Sequence, residues 1–271
     1  MRDQPIGFLD SGVGGLSVVK EVMEKLPNEN ILFVGDSARN PYGNKSKAEV
    51  IQYSRELSHF LLRKKIKMLV IACNTASAAA LDVLKKELDI PVIGVIEPGS
   101  KSAVEASRNH HIGVIGTKQT VESNEHRNQI SALNSSGKVN TLAVPKFVEI
   151  VENNDLTSNY AKSVIQEELK ELKGTAIDTL ILGCTHYPLL AELIQDYLGE
   201  EVTLIDPAIA TTALIKEYLT ENNLLNTNTE RSTDSIFYTT AKTKRFEEIA
   251  RNWISIGQFK VENIRVEELQ E

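Results

Sequence analysis

The sequence LILGCTHYPLL at residues 180–190 joins a short apolar run to three side chains that can exchange protons or form hydrogen bonds. The run at 180–182 is typical of a buried parallel strand, and a turn separates it from an apolar helical pattern. Ligands of open α/β sheets bind at the carboxyl ends of the strands. We therefore expect Cys184, Thr185 and His186 to lie in a functional site.

A second segment of the same kind, LVIACNT at 69–75, aligns with LILGCTH at 180–186 and superposes the two cysteines of the chain. Upstream, IGFLDSG aligns with IGVIGTK, and the spacing to the cysteine is then 63 residues in one copy (10 to 73) and 68 in the other (116 to 184). The repeat predicts an α/β fold of two similar pseudo-symmetric domains, with mainly parallel sheets facing each other across a cleft. The alternative is that strands rich in Val and Ile resemble one another by chance.

Alternating strand and helix patterns extend along the chain. Strands are predicted at 6–9, 31–34, 68–72, 92–95, 112–116, 139–144, 179–182, 202–205, 236–239 and 261–266, and a polar loop or linker at 222–235. Residues 97–99 resemble a crossing point into the second α/β series, which ends at 206–207. We therefore assign 1–98 and 209–271 to the first domain and 99–208 to the second.

The composition is that of a soluble globular protein, because 41% of the 271 residues are apolar and 25% are charged. The formal net charge of −7 argues against a nucleic-acid partner, since phosphate binding requires clustered Lys and Arg. No apolar run approaches the roughly 18 residues that a membrane span requires. The few residues before the predicted strand at 6–9 leave no room for a signal peptide, so we expect none. We expect a cytoplasmic protein without a membrane partner, in which a disulfide is not the default.

The two cysteines, Cys73 and Cys184, leave several interpretations open. They could be buried structural thiols, although polar residues follow each of them. A metal site would need more ligands, and the histidines show no metal-binding spacing. A disulfide would need the sulfur atoms about 2 Å apart. A covalent nucleophile would leave the other cysteine without a role.

Two-base proton transfer is the interpretation that uses both thiols. One thiolate removes a proton from a tetrahedral carbon, and the opposite thiol supplies a proton to the other face. Reacting contacts of about 3–3.5 Å would place the two sulfur atoms roughly 6–7 Å apart. The outcome is inversion at that carbon, and pseudo-symmetry suits a substrate whose two enantiomers are near mirror images.

The glycine-rich turn after the first strand suggests a nucleotide site as an alternative. GVGGLS at 12–17, followed about 20 residues later by Asp36, resembles a dinucleotide-binding fingerprint. However, the third glycine is missing, and the charge of Asp10 at the strand end would oppose a pyrophosphate. A better use for Asp10 and Ser11 is to meet an ammonium group, and Asp10 could assist a nearby proton transfer.

Seven segments of the chain resemble the glutamate racemases, within the cofactor-independent aspartate/glutamate racemase family. They are IGFLDSGVGGLSV (6–18), GDSARNPYG (35–43), MLVIACNTASAAAL (68–81), IPVIGVIEPG (90–99), IGVIGTKQT (112–120), VPKFVEIVE (144–152) and DTLILGCTHYPLL (178–190). The resemblance implies interconversion of L- and D-glutamate without pyridoxal phosphate or a metal, supplying D-glutamate for peptidoglycan. It also implies a homodimer.

The resemblance further implies residue roles. Cys73 would take the proton from D-glutamate and Cys184 the proton from L-glutamate, and Asp10 and His186 would assist the respective thiols. The substrate contacts carried over by position are Asp10, Ser11, Tyr42, Gly43, Asn74, Thr75, Thr117, Thr185 and His186. Two further acidic residues, Asp36 and Glu152, match positions near the family's site.

The chain departs from the family pattern outside the two cysteine motifs. Asn40 and Ala143 stand where a cysteine is common, Glu149 where a proline is expected, and Pro207-Ala208 where Ser-Gly is frequent. Only five residues precede Ile6, so we expect no activation by a cell-wall precursor. Two alternative functions remain: a racemase for aspartate or another amino acid, and a non-catalytic amino-acid-binding protein.

Overall fold

The computed structural model describes residues 1–228 and 235–270. Its strands are β1 (Ile6–Asp10), β2 (Ile31–Gly35), β3 (Met68–Ile71), β4 (Val92–Gly94), β5 (His111–Gly116), β6 (Lys138–Ala143), β7 (Thr179–Gly183), β8 (Thr203–Ile205), β9 (Ser235–Thr239) and β10 (Phe259–Asn263). Its helices are α1 (Leu16–Lys25), α2 (Lys47–Arg63), α3 (Asn74–Glu87), α4 (Ile96–Ala106), α5 (Lys118–Glu122), α6 (Glu125–Leu133), α7 (Lys146–Glu152), α8 (Asn159–Leu169), α9 (Ala191–Leu198), α10 (Pro207–Glu221), α11 (Thr243–Trp253) and α12 (Val266–Leu269). Short 3-10 turns lie at Tyr42–Asn44 and Tyr187–Leu190.

The strands form two parallel sheets with the same internal order. The first sheet is β10-β9-β2-β1-β3-β4 and the second is β6-β5-β7-β8. In the first sheet β1 lies between β2 and β3, and in the second sheet β5 lies between β6 and β7. The order β2-β1-β3-β4 therefore corresponds to β6-β5-β7-β8. The predicted two-domain α/β fold with its internal repeat is therefore confirmed. The strands that carry the two cysteine motifs, β3 and β7, occupy equivalent places.

The strands β1, β2 and β3 at the centre of the first sheet are buried on both faces, as their apolar sequences predict. Every residue of β1, β2 and β3 is buried. Alternate side chains point to opposite faces, so Phe8 and Phe33 pack against α1, α10 and α11, whereas Leu9 and Val34 pack against α2 and α3. This burial holds the carboxyl ends of the strands, and the loops after them, in fixed positions.

Residues 97–99, predicted as a crossing point into the second α/β series, lie in the first turn of α4, where Pro98 loses no helical hydrogen bond and Glu97 suits the helix N-terminus. The place where the chain crosses between the domains stays a prediction. One predicted element boundary is wrong. The last strand is β10 rather than 261–266, because its register is set by pairing with β9, and Val266 already begins α12.

The C-terminal elements β9 and β10 extend the first sheet beyond β2. The proposed domain boundaries at 98/99 and 208/209 remain a prediction, and each lies in the first turn of a helix, α4 or α10. Of the polar stretch predicted as a loop, 222–228 follows α10 without helix or strand, and 229–234 lie outside the described residues. Within the described part of the chain, no helix has the length and apolar character needed to cross a bilayer.

Candidate active site

Most of the residues that the sequence assigned to the site line one narrow cavity between the two sheets. They are Ser11, Tyr42, Gly43, Cys73, Asn74, Thr75, Thr117, Cys184, Thr185 and His186. Asn40, Pro41 and Val148 complete the lining. The loops after β1, β3, β5 and β7 all contribute, since the carboxyl ends of parallel strands meet at one edge of each sheet. Both halves of the repeat therefore build the same cavity.

Cys73 lies at the start of α3, two residues after the end of β3. It is the N-cap residue, and its Sγ accepts a hydrogen bond from the Ala76 amide at 3.4 Å. Its thiol donates to Ser11 Oγ at 3.8 Å. Burial, together with the negative charge of Asp10, raises the pKa of Cys73 to about 12 despite the amide donor. The thiol form of Cys73 is therefore strongly favoured in this narrow cavity.

Cys184 directly follows β7 and has a different partner. Its Sγ lies 3.7 Å from Nδ1 of His186. On the other side of the ring, Nε2 lies 3.5 Å from Oε1 of Glu152, an ion-pair distance without hydrogen-bond geometry. Burial alone would lower the pKa of His186, but the contacts with Cys184 and Glu152 raise it overall. An imidazolium at this place stabilises negative charge on the Cys184 sulfur.

The two thiols thus differ in their electrostatic surroundings. Cys73 has a carboxylate, Asp10, nearby, and Cys184 has an imidazole in contact. Both cysteines are free and buried. The sequence-based prediction of sulfur atoms roughly 6–7 Å apart remains a prediction.

Asp10 lies beneath the cavity surface at the end of β1. It is fully buried, and its Oδ2 accepts a hydrogen bond from the Gly12 amide at 2.9 Å. Its Oδ1 has no hydrogen-bond partner among the described residues. Burial raises the pKa of Asp10, and the neighbouring His186 opposes that shift. A buried carboxylate oxygen without a partner suits a cationic ligand group or a proton-transfer role.

Close approach of the two halves requires glycine in the loop after β1. A Cβ atom on Gly14 would overlap Thr185 Oγ1 and would lie 2.7 Å from two ring atoms of His186. A Cβ on Gly43 would likewise lie 2.8 Å from Cβ of Thr117. The glycine-rich turn therefore brings the loop after β1 into direct contact with the loop that carries Cys184.

Three threonine hydroxyls meet at one end of the cavity. Thr75 Oγ1 lies 3.0 Å from Thr117 Oγ1 and 3.2 Å from Thr120 Oγ1, and the latter two are 3.0 Å apart. Thr75 belongs to α3, whereas Thr117 and Thr120 follow β5, so the cluster spans both halves. Thr120 was not predicted as a site residue, although its place three residues after the N-cap residue Thr117 was a usable signal. Clustered hydroxyls can donate to a carboxylate.

Asp36 does not face the cavity. Its carboxylate accepts hydrogen bonds from the Tyr42 hydroxyl at 2.5 Å, from Arg39 Nε at 2.7 Å and from Thr240 Oγ1 at 3.0 Å. These contacts stabilise the loop at 35–44, so the Asp36 carboxylate is not available to bind a nucleotide ribose. Because the Tyr42 hydroxyl is used in this contact, Tyr42 contributes its ring and backbone to the cavity wall.

Glu152 connects the second half to that loop. Asn40 Nδ2 donates to Glu152 Oε1 at 2.9 Å, and Arg245 of α11 donates to the Glu152 backbone oxygen at 2.5 Å. Glu149, where the family pattern differs, is exposed on α7. That departure therefore leaves the contact between Glu152 and His186 intact.

The fold and the site together are those of a two-domain α/β enzyme that presents one thiol from each half to a shared cavity. Residues 11–215 match the family model described as Asp/Glu/Hydantoin racemase. The chain belongs to this family, and it is an isomerase.

Similar proteins agree with this assignment. A glutamate racemase of Carnobacterium sp. (strain St2) is 50% identical over 265 residues, covering 97% of this chain and 99% of the relative. A crystal structure of a glutamate racemase isoform from Bacillus anthracis has a TM-score of 0.94 at 40% identity, covering 98% of this chain and 99% of the other. Glutamate racemase from Francisella tularensis in complex with D-glutamate has a TM-score of 0.90 at 35% identity, covering 97% and 98%.

Proposed function

We propose that this chain is a glutamate racemase, which interconverts L- and D-glutamate by proton transfer between two thiols and supplies D-glutamate for peptidoglycan synthesis. The observation that carries the proposal is that Cys73 and Cys184 line one cavity from opposite halves of the repeat. The names of the similar proteins support glutamate as the substrate. The bound D-glutamate in the Francisella tularensis structure supports a small-molecule partner of this kind.

In the direction from L- to D-glutamate, the Cys184 thiolate removes the α-proton. The charged His186 ring stabilises that thiolate before the transfer. The proton moves to the sulfur, and the electron pair of the broken bond stays on the α-carbon. The Cys73 thiol, which burial keeps protonated, delivers its proton to the opposite face of the same carbon. After turnover Cys73 is the thiolate and Cys184 the thiol, which is the starting state for the reverse direction. Neither direction changes the number of protons.

The remaining contacts orient the substrate for this exchange. Asp10 and Ser11 meet the ammonium group in this proposal. Ser11 lines the cavity, whereas Asp10 lies beneath it with an Oδ1 atom that has no hydrogen-bond partner among the described residues. Carboxylate donors are the Asn74 amide and the hydroxyls of Thr75, Thr117 and Thr185, with Tyr42, Gly43 and His186 completing the contacts. These groups are the hydroxyl, amide and backbone donors that carboxylates accept. Neither pyridoxal phosphate nor a metal enters the proposed reaction.

Deuterium exchange tests substrate and mechanism together. In D2O, the purified enzyme is expected to exchange the α-hydrogen of either glutamate enantiomer while the optical rotation decays to zero. Cys73→Ala and Cys184→Ala are each expected to abolish racemisation. Racemisation by either variant at the wild-type rate would contradict the two-thiol assignment.

The same assay separates the alternative functions. A racemase for another amino acid would turn over aspartate or glutamine faster than glutamate. A non-catalytic binding protein would bind glutamate without α-hydrogen exchange. We also propose a cytoplasmic homodimer, as the family resemblance implies, and sedimentation equilibrium of the purified chain tests the dimer.

A further inference from the structure

His126 is a buried histidine of α6 that contacts the loops of both cysteines. It is 2% exposed, and its Nε2 lies 3.2 Å from Oδ1 of Asn74, the residue after Cys73. Its Nδ1 lies 3.1 Å from Oγ of Ser100 on α4. A Cβ atom on Gly183, the last residue of β7, would lie 3.3 Å from His126 Nε2. The ring therefore fits between the two strand ends that carry the reactive thiols.

The hydrogen-bond partners define which ring nitrogen carries the proton. Burial lowers the pKa of His126 to about 4, so the ring is neutral near pH 7 and has one N–H donor and one acceptor. The Asn74 Oδ1 atom can only accept, so Nε2 must be the donor. Nδ1 is then the acceptor and receives the hydroxyl proton of Ser100. Both ring nitrogens of His126 therefore have a complementary partner.

The contact with His126 also fixes the orientation of the Asn74 amide. With Oδ1 turned toward the ring, the amide nitrogen is on the opposite side of the planar group. Asn74 lines the cavity, and its amide nitrogen donates no hydrogen bond within the described residues. Its two N–H groups are therefore the free donors of this side chain.

We propose that His126 is a positioning residue that holds the Asn74 amide with its N–H groups directed at a substrate carboxylate. The inference rests on the proposed function, since it takes the cavity to bind an amino-acid carboxylate. Without His126, the amide can rotate and present its carbonyl oxygen, which repels a carboxylate. Because Asn74 belongs to α3 and His126 to α6, the correct orientation also depends on the two halves being docked.

Three substitutions at His126 separate positioning from packing. His126→Gln places an amide N–H near the position of Nε2 and retains the donor to Asn74. His126→Asn is too short to reach Asn74, and His126→Phe fills the space without a hydrogen bond. His59→Phe is a matched control at an exposed histidine of α2.

The expected result is a selective rise of KM. His126→Phe and His126→Asn should raise KM for both glutamate enantiomers about three- to tenfold, the effect of losing one neutral hydrogen bond, with kcat changed less than about twofold. His126→Gln should restore KM to within about twofold of the wild type, and His59→Phe should change neither parameter. In an Asn74→Ala background, His126→Phe should raise KM no further, because the two residues act through one contact.

Several results would overturn the proposal. One is an unchanged KM in His126→Phe, accompanied only by a lower Tm, as expected of a packing role. Another is an additive effect with Asn74→Ala. A third is independent of any variant: the 15N spectrum of the wild-type chain is expected to show His126 protonated at Nε2, and protonation at Nδ1 would reverse the Asn74 orientation. If the wild type does not exchange the α-hydrogen of glutamate, the proposed function fails, whereas the spectrum still tests the positioning of Asn74.

Discussion

Gly14→Ala tests the closeness of the two halves with a single added methyl group. The methyl carbon would lie 2.7 Å from two ring atoms of His186 and would overlap Thr185 Oγ1. Because nonbonded carbon atoms rest about 3.5–4.0 Å apart, the loop after β1 and the loop of Cys184 must separate by about 1 Å. Gly14 does not have a left-handed backbone conformation, so the substitution adds a steric conflict without backbone strain.

The expected effect follows from that displacement. Misplacing a reacting group by about 1 Å costs about 100-fold in rate, which corresponds to about 2.7 kcal/mol of activation free energy. Both directions should be affected, because the separation moves one thiol away from the other. We therefore expect kcat/KM for L- and for D-glutamate to fall about 100-fold while the near-UV circular dichroism of the folded chain is retained.

The assay is the initial rate of change in optical rotation, measured from each enantiomer. Gly137→Ala is the matched control, because its added methyl would meet its nearest neighbour at 3.2 Å in a turn between α6 and β6. That variant should keep wild-type kinetics. A folded Gly14→Ala enzyme with activity within about threefold of the wild type would refute the argument that this glycine is required for the close approach.

Three further predictions concern charged groups. Glu152→Gln removes a contact that raises the pKa of His186. The His186 ring should then lose its proton at lower pH, so the alkaline limb of kcat/KM for L-glutamate should move to lower pH. An unchanged pH–rate profile would contradict the role of Glu152. Lys67→Met leaves the buried carboxylate of Glu29 without its ion-pair partner. Urea denaturation should show a free energy of unfolding lower by about 3–5 kcal/mol, while kcat is retained. Adding Glu29→Gln should restore part of the lost stability. Burial raises the pKa of Asp206 to about 6 in the folded chain. The contribution of Asp206 to stability is therefore complete at pH values below its pKa in the unfolded chain, and it is lost as the pH rises through its pKa in the folded chain. Asp206→Asn should therefore raise Tm relative to the wild type at pH 8 but not at pH 3.5. An equal rise of Tm at both pH values would contradict the raised pKa of Asp206.

The strands and the pairing of the cysteine loops could be predicted from the sequence because they depend on local patterns. Short apolar runs bounded by turns identified the eight strands of the repeat, and the alignment of LVIACNT with LILGCTH placed Cys73 and Cys184 at equivalent strand ends. Polar residues directly after such strands lie in the site for the same reason. The local sequence pattern also predicts where the site lies, because the short loops keep these polar residues next to the strand ends.

Several features of the fold and site that were not predicted from the sequence depend on contacts that form only in the folded chain. The register of β10 is fixed by β9, and the first turn of α4 accepts a Pro that otherwise resembles a loop signal. Thr120 contacts Thr75 because α5 packs beside α3, and His126 contacts Asn74 from α6, which packs on α4. The contacts of Asp36 with Arg39 and Tyr42 require the folded loop. Thr120 and His126 are far in sequence from Thr75 and Asn74, and Asp36 has both near partners and a distant one, Thr240.

The place of β9 beside β2 has a consequence for the order in which the chain can fold during synthesis. Leu32 pairs with Ile236, so this parallel contact joins segments 204 residues apart. Until the C-terminal strands leave the ribosome, β2 has an open edge with unpaired backbone donors and acceptors. The four strands of the second sheet are complete by Ile205, so this sheet needs no strand from later in the sequence. Nascent chains truncated before β9 should therefore be the aggregation-prone species, and protection of this edge is the step at which a chaperone would have most effect.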